Sequence, residues 1–226
     1  MNQTTRQMIA RTFGKPFDTY ALQLLDFKQN EALPWTSSAP RPGLLSCLVN
    51  DLKINRRRSI VEFGSGVSTL VVAQALDPAC QSMISFEHDP GWAELVQEQL
   101  VRLDLSERCS VVHAPLEKCA ISIDGSTWYD TDIIQDTVRS REVDVVVCDG
   151  PPAYARGRHM ARYPAVPVMQ EFLSDRFSVY LDDIDRSGER EIVKRWSELL
   201  QIPFSYQLLR GSFAVGFKGE HYNALI

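Results

Sequence analysis

The chain has 226 residues, 44% hydrophobic and 23% charged, so it can bury one sizeable core but is short for two. Its 24 basic residues face 29 acidic ones, a net charge of -5, which argues against a general nucleic-acid binder, a local basic patch aside. No apolar run approaches the ~20 residues that cross a bilayer, which excludes a spanning helix.

The opening MNQTTRQMIARTFGKPF lacks the apolar centre of a secretory signal; basic and free of acid, it leaves a transit peptide as the lesser reading. The segment up to Asn30 is expected to be helical, with Tyr20, Leu24 and Phe27 at helical spacing. PWTSSAPRPG at 34–43 reads as a proline-punctuated loop, and LLSCLVNDL as a helix. The triple arginine at 56–58 is expected to be solvated, and SIVEF after it to be a strand.

From there the chain alternates. VSTLVVAQAL carries Val67, Leu70, Val71 and Ala75 on one helical face, and SMISFE is a second strand. Asp89 and Pro90 are a good N-cap and first residue for a helix burying Trp92, Leu95, Val96, Leu100 and Leu103. SVVHA is a third strand, and the stretch 117–142 holds a hairpin signal at Asp124-Gly125 followed by a polar helix.

VDVVVC at 143–148 is a nearly unbroken apolar strand, as in a parallel sheet covered on both faces. PAVPVMQEFL is expected to be helical beyond its prolines, FSVYL to be a fifth strand and SGEREIVKRWSELL a helix. FSYQLLR and SFAVGFK, parted by little more than Gly211, close the chain as an antiparallel hairpin. The fold class that follows is α/β: a doubly wound, mostly parallel seven-stranded sheet with helices on both faces and one reversed strand.

Cys47, Cys80, Cys109, Cys119 and Cys148 are an odd set without a CxxC pair, and the four histidines lack finger spacing. A structural zinc site is disfavoured, and free thiols suit a reducing, cytoplasmic setting.

In a doubly wound sheet, ligands bind beyond the C-terminal strand ends. Glu87, Asp149, Asp182 and Asp183 all fall there, and Glu62 adds an acid within the first strand. One such carboxylate is more often a cap or a loop hydrogen bond, but the set together points to a site. Gly64 and Gly66 allow a tight turn and close approach of a ligand, and Ser65 or Ser68 can cap the next helix. A dinucleotide fingerprint would want glycine where Thr69 stands, and Glu62 would repel pyrophosphate. An acid there suits a ligand that carries an ammonium or sulfonium beside a carboxylate.

EFGSGVSTL, FEHDPGW, the WYD insert, VDVVVCDGPP, YLDDIDRSGE and SFAVGFK, in that order, resemble the class I S-adenosylmethionine-dependent methyltransferases. The resemblance runs from about residue 35 and is greatest to the catechol-O-methyltransferase-like branch and related small bacterial enzymes. It implies one methyltransferase domain over 1–226, with 1–55 as a helical cap region and 117–142 as an inserted hairpin and helix. By position, Glu62, Gly64, Ser65, Gly66 and Ser68 would surround the methionine part of the cofactor. Glu87 would accept from both ribose hydroxyls, His88 would lie beside the adenosine, and Ala114, Pro115 and Leu116 would border the adenine. Asp149 would stand near the ammonium and the transferring methyl.

The same resemblance implies Asp149, Asp182 and Asp183 as ligands of Mg²⁺ or another hard divalent ion. Two departures stand against it: the third ligand is Asp rather than Asn, and DGPPAYARGR lacks the family's lysine. The alternative is that Asp182 and Asp183 cap the next helix or pair with Arg186. Asp149 and His159 are the candidate catalytic groups, although a lone loop histidine is more often incidental. Tyr154, Arg156 and Arg158, with Arg162 beside them, are candidates for holding an acidic substrate, against the plainer reading of a solvated basic loop. Tyr163, Trp35 and Trp128 line a pocket or pack the loops.

The expected activity is methyl transfer to an oxygen of a small molecule or sugar. The alternatives are an NAD(P)-dependent oxidoreductase and a non-catalytic methyltransferase-like binding protein. Nucleic acid and membrane are not expected partners, and a homodimer is left open.

Overall fold

The computed structural model describes residues 36–222, together with Thr4, Thr5, Met8, Asp18, Ala21 and Leu22. The helix expected up to Asn30, and Trp35, lie outside the described residues.

The elements run α1 (Pro42–Ile54), β1 (Ser59–Phe63), α2 (Val67–Ala75), β2 (Ser82–Glu87), α3 (Pro90–Arg102) and β3 (Cys109–His113). A short ribbon follows, β4 (Leu116–Lys118) against β5 (Thr127–Tyr129), and then α4 (Thr131–Val138) and β6 (Val143–Cys148). The chain ends with α5 (Ala165–Met169), β7 (Leu173–Leu181), α6 (Ser187–Leu200), β8 (Phe204–Gln207) and β9 (Phe213–Phe217). The main sheet has seven strands in the order β3-β2-β1-β6-β7-β9-β8. Neighbours pair in parallel from β3 to β7, and β9 runs antiparallel to both β7 and β8. This is the doubly wound sheet with one reversed strand that the alternation predicts.

The period-2 pleat divides the core between two faces. Ile60, Met83, Val145 and Val147 pack with Leu48 and Leu52 of α1, Leu70 of α2 and Val96 and Leu100 of α3. Val61, Phe63, Phe86, Val146 and Cys148 face the other way, onto Ile134 of α4, Val166 of α5 and Ile192 and Trp196 of α6. Each such side chain, fully buried, contributes roughly 1.5–3 kcal/mol.

Three elements differ from expectation. The PAVPVMQEFL helix ends at Met169, and a 3-10 turn over Gln170–Phe172 leads straight into β7. Strand β7 starts at Leu173 rather than Phe177: Leu173 pairs with Val143, the register then shifts, and pairing resumes at Ser178 opposite Val145, so residues 174–177 are carried as a bulge. Their side chains at Asp175 and Arg176 stay exposed, which is why the sequence there does not look strand-like. The last hairpin turns over residues 208–212. Its tip is drawn onto the start of α1, where Arg41 donates to the carbonyls of Leu208 (3.5 Å) and Leu209 (3.2 Å).

The arginine run corrects a further reading. Arg57 is only 2% exposed; its Nε donates to Asp51 Oδ1 at 2.9 Å. Asp51, fully buried, also accepts from Asn55 (2.7 Å), Tyr180 (2.9 Å) and the Ser178 hydroxyl, tying α1 to β7. A surface charge run thus supplies one half of a core ion pair.

Candidate active site

The strand order reverses between β1 and β6, and chains leaving a sheet at such a point diverge to leave a crevice. Backbone geometry shows how closely the two exits meet. Gly64 has φ +97°, and a Cβ there would lie 2.8 Å from the Gly150 nitrogen. Conversely, a Cβ on Gly150 would lie 2.2 Å from the Tyr129 hydroxyl and 2.9 Å from the Gly64 Cα. Both positions therefore demand glycine. Gly66 is different, with extended backbone and nothing within 4 Å of its missing side chain, so its face is open to a ligand.

A cleft of about 670 Å³ opens above these turns. Gly64, Ser65, Gly66, Ser68, Glu87, His88, Asp149 and Tyr154 all line it, as expected of them. Val67, Trp92, Leu95, Tyr129, Gly150, Arg162, Asp183 and Arg186 line it too, and Thr36–Pro40 form a wall. The helix α3 begins directly after Glu87, capped by Asp89 Oδ1 accepting from the Trp92 amide at 2.8 Å. Its first turns therefore border the cleft, which leaves Leu95 39% exposed rather than in the core.

Hydroxyls fix the glycine turn. Thr69, where a dinucleotide motif would have glycine, accepts from the Gly66 amide at 2.9 Å and donates to Glu62 Oε2 at 2.5 Å. Ser85 donates to the same oxygen at 2.6 Å. Glu62 Oε1 is buried and has no hydrogen-bond partner among the described residues. Burial lifts the Glu62 carboxyl to about 6, with the Ser68, Ser85 and Thr69 hydroxyls pulling the other way. The Trp92 indole braces the turn from above, donating to the Ser65 carbonyl at 2.8 Å.

Glu87 closes the adjoining wall. Its Oε2 accepts from the Ser65 amide at 3.0 Å, and its Oε1 from the amides of His88 (2.7 Å) and Asp89 (2.9 Å). Burial pushes the carboxyl up, but the His88 side chain and those amides outweigh it and hold Glu87 below the usual carboxylate range. It is a fixed anion at the rim. Above it the Tyr129 hydroxyl is buried without a partner among the described residues, and burial pushes its pKa well up.

At the other end of the cleft, Asp149, Asp182 and Asp183 offer oxygens within 4.8 Å of one another. Asp183 takes a left-handed conformation, φ 62°, to turn its side chain back. Arg162, 4% exposed, reaches between them: Nη2 donates to Asp149 at 3.3 Å, and Nη1 lies 3.0 Å from Asp183 Oδ2. Arg186 stands 2.9 Å from the same Asp183 oxygen. Burial raises the Asp149 carboxyl above its ordinary value against the pull of Arg162, and burial beside Asp183 and Asp149 raises Asp182 further. Arg162 itself is held firmly charged, since the surrounding carboxylates outweigh the effect of burial.

Several expected residues stand elsewhere. Ala114 is buried beneath the cleft, its amide bonded to the Glu87 carbonyl at 2.8 Å, and neither it nor Pro115 nor Leu116 lines the cavity. Arg156, Arg158 and His159 also lie off the lining; the His159 carbonyl packs against Gly188, where a Cβ would meet it at 2.0 Å. Asp182 is buried under the cleft rather than on its wall. Trp128 is fully buried against Phe63, ring centroids 5.0 Å apart. Tyr129 and Arg162 are cleft residues whose part the sequence reading underrated; for the second, the available signal was a basic residue in the loop 13 positions after Asp149.

The sequence pattern of the methyltransferase domain family matches residues 61–184, more than half of the chain and all the strands that converge on the cleft. Among solved structures, a putative caffeoyl-CoA O-methyltransferase from Staphylococcus aureus superposes with a TM-score of 0.61 at 13% identity, over 89% of this chain and 99% of that one. The O-methyltransferase TomG from Streptomyces achromogenes, in complex with SAM, gives 0.56 at 16% identity over 97% of this chain and 100% of that one. An O-methyltransferase from Bacillus cereus, in complex with SAH, gives 0.54 at 13% identity over 96% and 97%. No curated protein matches the sequence.

These structural likenesses show a shared fold. The chain belongs to the methyltransferase domain family and is a class I S-adenosylmethionine-dependent methyltransferase.

Proposed function

We propose that this enzyme transfers the methyl group of S-adenosylmethionine to an oxygen of a small molecule or sugar. The observation that carries the reading is the buried Glu62 Oε1, without a hydrogen-bond partner among the described residues and set in β1 just before the glycine turn rather than on the cleft lining, together with the fixed Glu87 anion on the cleft wall. An amino-acid ammonium would satisfy the first, and a ribose diol the second. Similar folds, solved as O-methyltransferases with SAH or SAM bound, support the same cofactor and an oxygen acceptor.

The cofactor supplies an electrophilic methyl carried on a sulfonium. The chain's own part is positioning and proton removal. Gly66 would leave room for the methionine end, Ser65 and Ser68 would turn their hydroxyls from Glu87 and Glu62 to its carboxylate, and His88 would flank the adenosine. Asp149, on the wall beside Gly150, takes the proton of the acceptor hydroxyl; Arg162 orients its carboxylate. Tyr154, 79% exposed at the mouth, covers the acceptor. Trp92 and Leu95 exclude water from the cofactor side.

The metal-assisted version of this reaction requires Asp149, Asp182 and Asp183 to take a hard cation. Their oxygens are close enough, but the guanidinium of Arg162 already stands among them. The residues do not fit a divalent ion.

Calorimetric titration tests the reading: S-adenosylhomocysteine should bind with one site per chain, and NADH should not. Binding of NADH alone would favour an oxidoreductase. Cofactor binding that survives with Asp149→Ala leaving biological activity intact would favour a binding protein.

A further inference from the structure

The acidic cluster at the acceptor end of the cleft holds more cation than a metal site can tolerate. Arg162 lies in the buried segment Met160–Ala161–Arg162 rather than on a mobile surface arm. Its Nε donates to the Pro151 carbonyl at 3.3 Å, and its Nη1 to the Asp182 carbonyl at 3.5 Å. With the contacts to Asp149 and Asp183, the guanidinium spends its donors on two chain segments, the exits of β6 and β7, and ties both to its own loop. Asp183 Oδ2 is claimed twice, by Arg162 and by Arg186, and Arg186 also reaches Glu189 at 3.5 Å.

We propose that Arg162 is a built-in replacement for a metal ion: it gathers the three-aspartate cluster, excludes divalent cations from it, and makes methyl transfer independent of them. The proposal rests on the reading of this cleft as a methyl-transfer site. A dication ligated by Asp149 and Asp183 would stand within a few ångströms of a buried guanidinium, like charge against like charge. A guanidinium fork instead satisfies the same oxygens by hydrogen bonds and keeps its charge at any accessible pH. It cannot polarise a hydroxyl as a Lewis acid does, so deprotonation falls to Asp149.

The consequence concerns the substrate. A shared ion selects acceptors with two neighbouring oxygens, because both must enter its coordination shell. Without that ion the acceptor needs only one reactive hydroxyl within reach of Asp149. Phenols and sugars with an isolated hydroxyl are then as acceptable as vicinal diols.

The test is a Mn²⁺ titration followed by electron paramagnetic resonance, on wild type, Asp182→Asn, Arg162→Met and Arg162→Met/Asp182→Asn. Wild type should take up no Mn²⁺ below about 1 mM. Arg162→Met, which keeps much of the side-chain volume, should open a site and raise Mn²⁺ affinity at least about tenfold, and Asp182→Asn should remove it again. Stoichiometric uptake by wild type that Asp182→Asn abolishes would overturn the proposal. So would a folded Arg162→Met that still takes up no Mn²⁺. If Arg162→Met does not fold, the wild-type titration decides alone. Binding of S-adenosylhomocysteine to the same wild-type sample is scored separately, so a failed cofactor reading is distinguishable from a failed metal reading.

Discussion

Glu62→Gln isolates what it takes to carry a charge in the middle of β1. The side chain is fully buried, and burial moves its carboxyl from 4.5 to about 6. At 1.36 kcal/mol per pH unit, that rise corresponds to about 2 kcal/mol between the two protonation states. The folded protein holds this proton more tightly than the unfolded chain does. Its contribution to stability is therefore fully present below pH 4.5 and is lost as pH rises through about 6. Glutamine has no proton to lose, so the wild type minus variant difference in unfolding free energy should fall by up to about 2 kcal/mol between pH 4.5 and about pH 7.5. Urea denaturation of both proteins at each end of the range, with equal m-values, measures it. Saturating S-adenosylhomocysteine should shrink the change, because an ammonium beside Oε1 favours the ionised form. A difference that stays flat or grows with pH would refute the reasoning.

The two glycines of the turn should behave in opposite ways. Gly64→Ala, with φ +97° and a Cβ 2.8 Å from the Gly150 nitrogen, should lower stability by at least about 2 kcal/mol in chemical denaturation. Gly66→Ala should leave stability within about 0.5 kcal/mol, yet weaken S-adenosylhomocysteine binding, because its methyl points into open cleft. Tyr129→Phe removes a buried hydroxyl without a partner among the described residues, so the cofactor-free protein should be as stable or up to about 1 kcal/mol more stable. If that hydroxyl meets the cofactor, calorimetry should show affinity falling about fivefold, and an unchanged affinity counts against it. Asp51→Ala strands Arg57, 2% exposed, and should cost about 3–5 kcal/mol of stability while kcat at a permissive temperature stays near wild type.

The readable parts of the sequence are those governed by near neighbours. Asp89 and Pro90 start α3 because a cap and a fixed φ act within one turn. VDVVVC shows double burial because each side chain faces a covered side of its own strand. The acids at 87, 149, 182 and 183 were legible as a site once the strands were placed, since parallel strands deliver their C-terminal ends to one edge. Thr69 was legible as an exclusion of dinucleotides, but its bridge from the Gly66 amide to Glu62 was not, because the bridge needs β1 and α2 folded together.

By itself, then, the sequence determined the alternation of strands and helices, the glycine turn and the exclusion of a dinucleotide from it, because those depend on period, backbone freedom and local charge. Only the tertiary structure decided which basic residue entered the acidic cluster. Arg156, Arg158 and Arg162 share one loop and the same side-chain chemistry, but Arg162 alone of the three lines the cleft, between aspartates 13 and 21 positions away. Such long-range charge pairing is set by how the exits of β6 and β7 fold back on the loop joining them. That arrangement makes a candidate metal site into an ion cluster of the protein's own.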